Sequence, residues 1–333
     1  MKALILNGHG GLENLELVND KPLPVAGEGE VLVRVKASAF NYHDVFTVQG
    51  MPGIKVPLPV VIGLDIAGIV EEDSGEWKKG DRVLVNPVRP GIGLMGEMID
   101  GGMAEFAVAR ADQLLRIPDA VNFYQAAALP VAYGTAHRMF ITHNTVKAGD
   151  TVLILGASGG VGTASVLLAK KLGAEVIACG GSEEKCDALK KLGADQVINY
   201  QTTDFVKWVY GHYGKPERRV YKGGVDVIVN FTGGDTWTKS LKAVKRGGQV
   251  LVCGATAGYD PKEDLRYIWT FELNIRGSNS FYNENLTDLL DMVAKGELDP
   301  YIDSVLPLEQ ASEGLAQIRD RKVIGKIIVD PTL

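Results

Sequence analysis

Cysteine is scarce in these 333 residues, with Cys179, Cys186 and Cys253 as the whole complement. Three thiols make no disulfide framework and agree with a reducing compartment. Histidine is almost as rare. Of His9, His43, His137, His143 and His212, none stands beside a cysteine or carboxylate at convincing ligand spacing, so the residues predict no metal. Basic charge is in deficit too: the formal net charge is −6, which leaves no electrostatic footprint for nucleic acid. No apolar run approaches the length that a membrane helix requires. Met1-Lys2 leads straight into the strand-like Ala3-Leu4-Ile5-Leu6, without the apolar core and cleavage site of a signal peptide, so the expected location is the cytoplasm. What remains is a globular composition, 46 % hydrophobic, in a chain long enough that two domains are expected.

The most informative stretch is Thr151 to Ala174, TVLILGASGGVGTASVLLAKKLGA. Val152-Leu153-Ile154-Leu155 is a continuous apolar run and reads as a strand buried on both faces of a parallel sheet. The turn Ala157-Ser158-Gly159-Gly160-Val161-Gly162 follows at once, with Ala157, Gly159 and Gly162 at the three positions of the G-x-G-x-x-G fingerprint. A small residue at the first allows the tight turn, Gly159 lets the backbone approach a pyrophosphate, and Gly162 lets the helix pack on the strand. Thr163 to Leu172 reads as a helix capped by Gly173, whose N-terminal amides and dipole face the phosphates. A tight strand-to-helix turn alone accounts for such glycines. Here strand, turn, helix, cap and next strand are all in register, and that points to a bound dinucleotide.

Before this motif, from Met1 to about Pro118, the pattern is short strands and glycine-punctuated turns: Ala3 to Leu6, Leu15 to Val18, Glu30 to Ala39, Val61 to Glu71, Arg82 to Asn86 and Ala104 to Ala109. It predicts a β-rich, partly barrel-like domain. Asn122 to Leu129 and Tyr133 to Asn144 read as helices leading into the second domain. After the motif, strands and helices alternate: Glu175 to Cys179, Glu183 to Leu192, Gln196 to Asn199, Asp204 to Tyr213, Val225 to Asn230, Asp235 to Lys245, Gln249 to Cys253 and Asn274 to Ser280. Lys215 to Gly224, with Lys215, Arg218, Arg219 and Lys222 against Glu217, reads as a solvated surface loop, with phosphate binding as the other reading. Leu286 to Lys295 and Leu308 to Asp320 are further helices, and Val323 to Val329 is a last strand that returns to complete the β-rich domain. The fold class is α/β: a Rossmann-type doubly wound parallel sheet over residues 121–299, beside a β-rich domain from residues 1–120 and 300–333.

With both halves read, the chain resembles the medium-chain dehydrogenase/reductase superfamily, in its zinc-free quinone oxidoreductase and enoyl-thioester (acrylyl-CoA-type) reductase branch. The matching segments include Asn41-Tyr42-His43-Asp44, Gly63-Leu64-Asp65-Ile66-Ala67-Gly68, Gly80-Asp81-Arg82-Val83, Gly102-Met103-Ala104-Glu105-Phe106, the fingerprint turn, Leu192-Gly193-Ala194-Asp195, Asn199-Tyr200 and Gly325-Lys326-Ile327-Ile328. The resemblance implies a GroES-like fold for the β-rich domain. The zinc alcohol dehydrogenases of that superfamily place a cysteine where this chain has Asn41 and a histidine where it has Leu64. Asp65 alone cannot hold a zinc that needs three protein ligands. The four-cysteine structural lobe is missing as well, since Asn86 to Gly102 contains no cysteine.

The resemblance also implies roles. Asn41, Tyr42 and Asp44 line the nicotinamide cleft: Asn41 donates a hydrogen bond from its amide, Asp44 fixes the loop, and Tyr42 orients the substrate or delivers a proton, unless it is simply a half-buried aromatic. His43 reads as a polar residue at the cleft edge or as a participant in proton transfer. Thr135 meets the nicotinamide end, Gly254, Ala255 and Ser278 offer groups to the ribose and carboxamide, and Lys326 approaches from the returning tail. Phe46 and Pro52 stand near places where many quinone oxidoreductases carry tyrosines, a departure that counts against quinone activity, and the Asn-Tyr-x-Asp spelling of Asn41 to Asp44 is closer to the acrylyl-CoA-type reductases.

The residues themselves speak to cofactor choice. An NAD enzyme of this fold carries an acid at the end of the second strand. Here Val176-Ile177-Ala178-Cys179 runs into Gly180-Gly181-Ser182 with no acid, while Ser182, Lys185 and Tyr200 offer donors to a 2′-phosphate, so NADPH is expected over NADH. Ser182 as a plain helix cap and Lys185 as a solvated residue remain the other reading. The expected protein is a zinc-free, NADPH-dependent oxidoreductase acting on an activated C=C bond or a quinone. A zinc-free alcohol or carbonyl oxidoreductase and a non-catalytic, crystallin-like or redox-sensing dinucleotide-binding protein are the alternatives. The strand near Asn274 to Ser278 reads as an exposed sheet edge that pairs in a homodimer or homotetramer, and no partner other than a small-molecule substrate is expected.

Overall fold

The computed structural model describes residues 1–333, which divide into two compact units, Met1–Gly134 with Ser280–Leu333, and Thr135–Asn279. The second unit holds an all-parallel, six-stranded sheet. From edge to edge its strands are Gln196–Asn199, Glu175–Gly180, Thr151–Ile154, Val225–Val229, Val244–Val252 and Asn274–Gly277. In chain order that is 3-2-1-4-5-6, the doubly wound arrangement, which binds ligands at the carboxyl ends of the strands where the order reverses. Val152, Leu153 and Ile154 are fully buried, as a strand covered on both faces must be. Leu153, Ile177, Ile228, Leu241 and Phe271 join one apolar core. The strand Asn274–Gly277 forms an open edge, with all four residues exposed.

The first unit is β-rich. Its larger sheet runs Leu114–Arg116, Arg82–Val85, Asp65–Val70, Glu30–Ala39, Lys326–Asp330, Ile302–Pro307, with Phe106–Arg110 also paired to Glu30–Ala39. A smaller sheet joins Leu15–Val18, Ala3–Leu6 and Val60–Val61. The last strand does return to this unit. It lies antiparallel to Glu30–Ala39, with Ile328 opposite Ala39, while on the other side Ala39 faces Asp65. Three segments remote in sequence therefore meet at one corner of the sheet, around the end of Glu30–Ala39.

Several elements differ from expectation. The helices Phe123–Ala128 and Asn283–Ala294 belong to the β-rich unit, so the unit boundaries fall at 134/135 and 279/280 rather than 120/121 and 299/300. Side chains explain this. Arg82 lies over the Phe123 ring at 4.8 Å, the Tyr124 hydroxyl donates to Asp330 at 2.7 Å, and Asn283 bonds both Asn86 and the Asp112 carbonyl. The strand expected over Val61 to Glu71 is broken at Gly63, whose φ of +98° ends the extended run. Tyr133 to Asn144 is not one α-helix: wide π-type turns at Leu129–Gly134 and Arg138–Thr142 flank Thr135–His137, and Pro130 has no N–H to give to a regular α ladder. The strand Ile302–Pro307 was not foreseen.

Candidate active site

Asn41, Asp65 and Lys326 meet at the sheet corner. The Lys326 ammonium, 2 % exposed, donates to the Phe40 carbonyl at 2.7 Å, Asn41 Oδ1 at 2.6 Å and Asp65 Oδ2 at 3.0 Å. An ammonium has three hydrogens, and all three are used. Lys326 is therefore corrected from a cofactor contact to a buried tether that has no donor left for a ligand. Asn41 Nδ2 donates to Asp65 Oδ2 at 2.8 Å, and Asp65 Oδ1 accepts from the Val131 N–H at 3.0 Å. The carboxamide is thus held by its oxygen to a cation and by one N–H to an anion, which leaves its second N–H without a partner in the chain.

Asn41 to Gln49 is not the expected loop. Asn41 caps the helix Tyr42–Gln49, and Asp44, three residues on, reaches back to the Asn41 N–H at 2.8 Å and also accepts from the Gly63 N–H at 3.1 Å. Tyr, Val, Phe and Thr are poor helix formers, which hid the helix, but Asn-x-x-Asp is a capping-box spacing that signals it. Tyr42 is half-buried, with its ring edge-on to Phe46 at 5.1 Å. His43 pairs with Glu97, a buried carboxylate that sequence reasoning passed over because nothing local marks it.

Burial pushes the Asp44 carboxyl from 3.8 up to about 7, against the pull of the Asn41 N–H and the charges of His43 and Lys326. The folded chain thus holds a proton that the unfolded chain has already released over this range, so the associated stability is present at low pH and lost as pH rises through about 7. The melting temperature of the wild type, referred to Asp44→Asn at each pH, is expected to decline from pH 4 to 7 and level off above. Parallel profiles for the two proteins would refute this.

In the second unit the fingerprint turn carries its strain one residue earlier than expected. Gly156, with φ +63°, makes the tight turn, while Ala157 is fully buried and is corrected to a packing residue. A Cβ on Gly162 would lie 2.5 Å from the Ala157 carbonyl, which accounts for glycine there, whereas at Gly159 the nearest atom would be 3.8 Å away. Gly160, Val161 and Gly162 open the helix Gly160–Lys171, and their N–H groups have no acceptor in the chain. Such an end binds anions. Ser158, in the turn just before it, is buried. At the carboxyl end of the neighbouring strand Val225–Val229, Asn230 accepts from the Thr232 and Gly233 N–H groups and donates to Thr236 and Ser240, another residue with no sequence signal.

Gly181, Ser182 and Tyr200 come together. A Cβ on Gly181 would sit 2.4 Å from the Tyr200 hydroxyl, and Ser182 Oγ accepts from the Lys185 N–H at 3.2 Å as the cap of the helix Glu183–Lys191. Capping uses the oxygen of Ser182 and leaves its hydrogen to donate. Two acids open the same helix, Glu183 and Glu184, and Glu183 accepts from Asn199 at 2.6 Å. Gly254 and Ala255 follow the strand Val244–Val252, and Ser278 follows the edge strand, buried, with an Oγ that has no partner in the chain.

Two family models match, the alcohol dehydrogenase GroES-like domain over residues 27–119 and the zinc-binding dehydrogenase over residues 160–295. The quinone oxidoreductase of Sus scrofa is 30 % identical, with 99 % of this chain and 97 % of that protein covered. The chain belongs to the medium-chain dehydrogenase/reductase superfamily. Among solved structures, an NAD-dependent alcohol dehydrogenase is similar with a TM-score of 0.90 at 34 % identity over 99 % of each chain. The 2-octenoyl-CoA carboxylase reductase CinF, in complex with NADP and 2-octenoyl-CoA, has a TM-score of 0.85 at 28 % identity, with 99 % of this chain and 87 % of that one covered. These likenesses place the chain in the quinone oxidoreductase and enoyl reductase branch, as an NAD(P)H-dependent oxidoreductase, and no helix in it is long and apolar enough to cross a membrane.

Proposed function

We propose that this member of the superfamily uses NADPH, without zinc, to reduce the activated C=C bond of an enoyl thioester or enone, or a quinone. The observation that carries this reading is the Asn41 carboxamide, pinned by Lys326 and Asp65 where zinc members place a cysteine. Zinc does not fit this donor set. Asn41 Oδ1 and Asp65 Oδ2 already accept from an ammonium whose charge opposes a second cation, and Leu64 offers no ligand. An acceptor that takes hydride at carbon spreads the resulting charge onto an oxygen, and the spare Asn41 N–H is a fixed donor for that oxygen. An alcohol has to shed a proton together with its hydride, a step for which the zinc enzymes use a Lewis acid.

When bound, the nicotinamide cofactor supplies the hydride. In this reading the N–H groups of Gly160, Val161 and Gly162 hold its pyrophosphate, beside the open face of Gly159. Gly254, Ala255 and Ser278 hold the nicotinamide half, with Thr135 at its end, and Gly181, Ser182, Lys185 and Tyr200 surround the adenosine 2′-phosphate. The likeness to an NADP-bound reductase supports the phosphate, as does the absence of an acid at the end of Glu175–Gly180. A charge-assisted bond from Lys185 is worth about 1.5–3 kcal/mol, so Lys185→Ala is expected to raise the NADPH dissociation constant about tenfold or more while NADH is nearly untouched. Equal losses for both cofactors, measured by fluorescence titration, would rule the assignment out.

The test of the function itself follows NADPH oxidation with crotonyl-CoA, 2-hexenal and 1,4-benzoquinone as acceptors, with and without EDTA. Turnover on at least one acceptor that survives EDTA is expected. Turnover on none, with NADPH still bound, or activity that needs zinc, would sink the reading. A zinc-free alcohol or carbonyl oxidoreductase is the second reading, favoured by the likeness to an NAD-dependent alcohol dehydrogenase, and the same assay run with NAD and secondary alcohols tests it. The exposed edge Asn274–Gly277 further supports pairing with a second copy, and a sedimentation mass of one chain at micromolar concentration would count against it.

A further inference from the structure

Glu97 is a buried carboxylate to which the reading above gives no task. It is 4 % exposed, and its carboxylate makes a single hydrogen bond in the chain, Oε2 to His43 Nε2 at 2.5 Å. A carboxylate only accepts, so Nε2 carries the hydrogen and Nδ1 is the nitrogen without a partner in the chain. The His43 side chain keeps 27 % of its surface open, on the first turn of the helix Tyr42–Gln49 and two residues after Asn41. A carboxylate bonded to one imidazole nitrogen fixes the tautomer and stabilises the charged ring, which suits the other nitrogen to general acid work. Tyr42, by contrast, spends its ring on apolar contacts with Phe46 and the core around Val45 and Val48.

We propose that His43 is the acid that protonates the α-carbon of an enoyl thioester after hydride addition, with Glu97 as its positioning residue. This rests on the functional reading above. The hydride brings two electrons to the β-carbon, and the C=C pair moves onto the carbonyl as an enolate. That pair then forms the new C–H bond at the α-carbon with the proton from His43 Nδ1. The N–H bond breaks, the imidazolium becomes the neutral Nε2–H tautomer still bonded to Glu97, and water restores the proton. The titratable groups around His43 are Glu97 and, on its own helix, Asp44, which in turn interacts with Asp65 and Lys326.

The test reduces crotonyl-CoA with NADPH in D2O, locates the α-deuterium in the product, and records heteronuclear NMR of the imidazole nitrogens. The wild type is expected to deuterate one face and to show His43 as the Nε2–H tautomer or the imidazolium. His43→Asn is expected to lower kcat about 100-fold with KM within about threefold, and to scatter deuterium over both faces. Glu97→Gln, whose amide oxygen still accepts from Nε2–H but lacks the charge that stabilises the imidazolium, is expected to lower kcat about tenfold with KM little changed, and Glu97→Asp to recover part of that loss, a split that a merely structural role would not give. Wild-type kcat and one-face deuteration in His43→Asn, or an Nδ1–H tautomer in the wild type, would overturn this proposal alone. No wild-type turnover on crotonyl-CoA would sink the enoyl-thioester reading and this step with it.

Discussion

Lys326→Met is expected to destabilise the folded chain by about 3–5 kcal/mol, the usual effect of removing one partner of a buried ion pair. Asp65 is fully buried and its Oδ2 accepts from the Lys326 ammonium at 3.0 Å, so the substitution strands a carboxylate away from water. It also strips Asn41 Oδ1 and the Phe40 carbonyl of their donor. The loss belongs to the stranded charge more than to the missing contact, so Lys326→Met with Asp65→Asn is expected to recover much of it. Urea unfolding of the two single variants and the double variant checks this as a cycle. A double variant as unstable as the sum of the singles would show that the two side chains are not coupled and that the tether has been misread.

Asn41→Ala is expected to lower kcat on whichever acceptor the wild type reduces by about 10²–10³-fold, the effect of losing one preorganised donor to a developing oxyanion. NADPH affinity is expected to stay put, because the amides of Gly160 to Gly162, proposed to hold its pyrophosphate, belong to the other unit. The substitution also leaves Lys326 and Asp65 each short of a partner, so its melting temperature has to be measured alongside. Steady-state kinetics at a temperature where both proteins are folded separates the two effects. A variant that keeps wild-type kcat and pays only in stability would reduce Asn41 to a structural cap.

Legibility in the sequence was uneven for physical reasons. The parallel sheet was readable because Val152 to Leu155 is apolar without interruption and is buried on both faces, and because Gly162 stands where a Cβ would strike the Ala157 backbone. These are local demands, met within one strand and one helix. The helix Tyr42–Gln49 was hidden because its stability comes from the Asp44 carboxylate accepting the Asn41 N–H at its start and from packing, not from its own propensities. Thr135 looked like part of a plain helix because periodicity does not distinguish α turns from the wider ones around it. The unit boundaries moved because Arg82, Tyr124 and Asn283 tie two helices to the β-rich unit through contacts that no spacing rule encodes.

By itself the sequence determined the fold class, the glycine-rich strand-to-helix turn and the empty acid position after the second strand, since each depends on residue types a few positions apart and on backbone sterics. Only the tertiary structure decided what Lys326, Asp65 and Glu97 do. Lys326 and Asn41 are 285 positions apart, and His43 and Glu97 are 54 apart. A charged side chain reads as solvated until the fold buries it, and its partner is set by which strands lie side by side. The register that puts Ala39 between Asp65 and Ile328 brought a cation, an anion and a carboxamide to one corner, and burial there made their pairing obligatory.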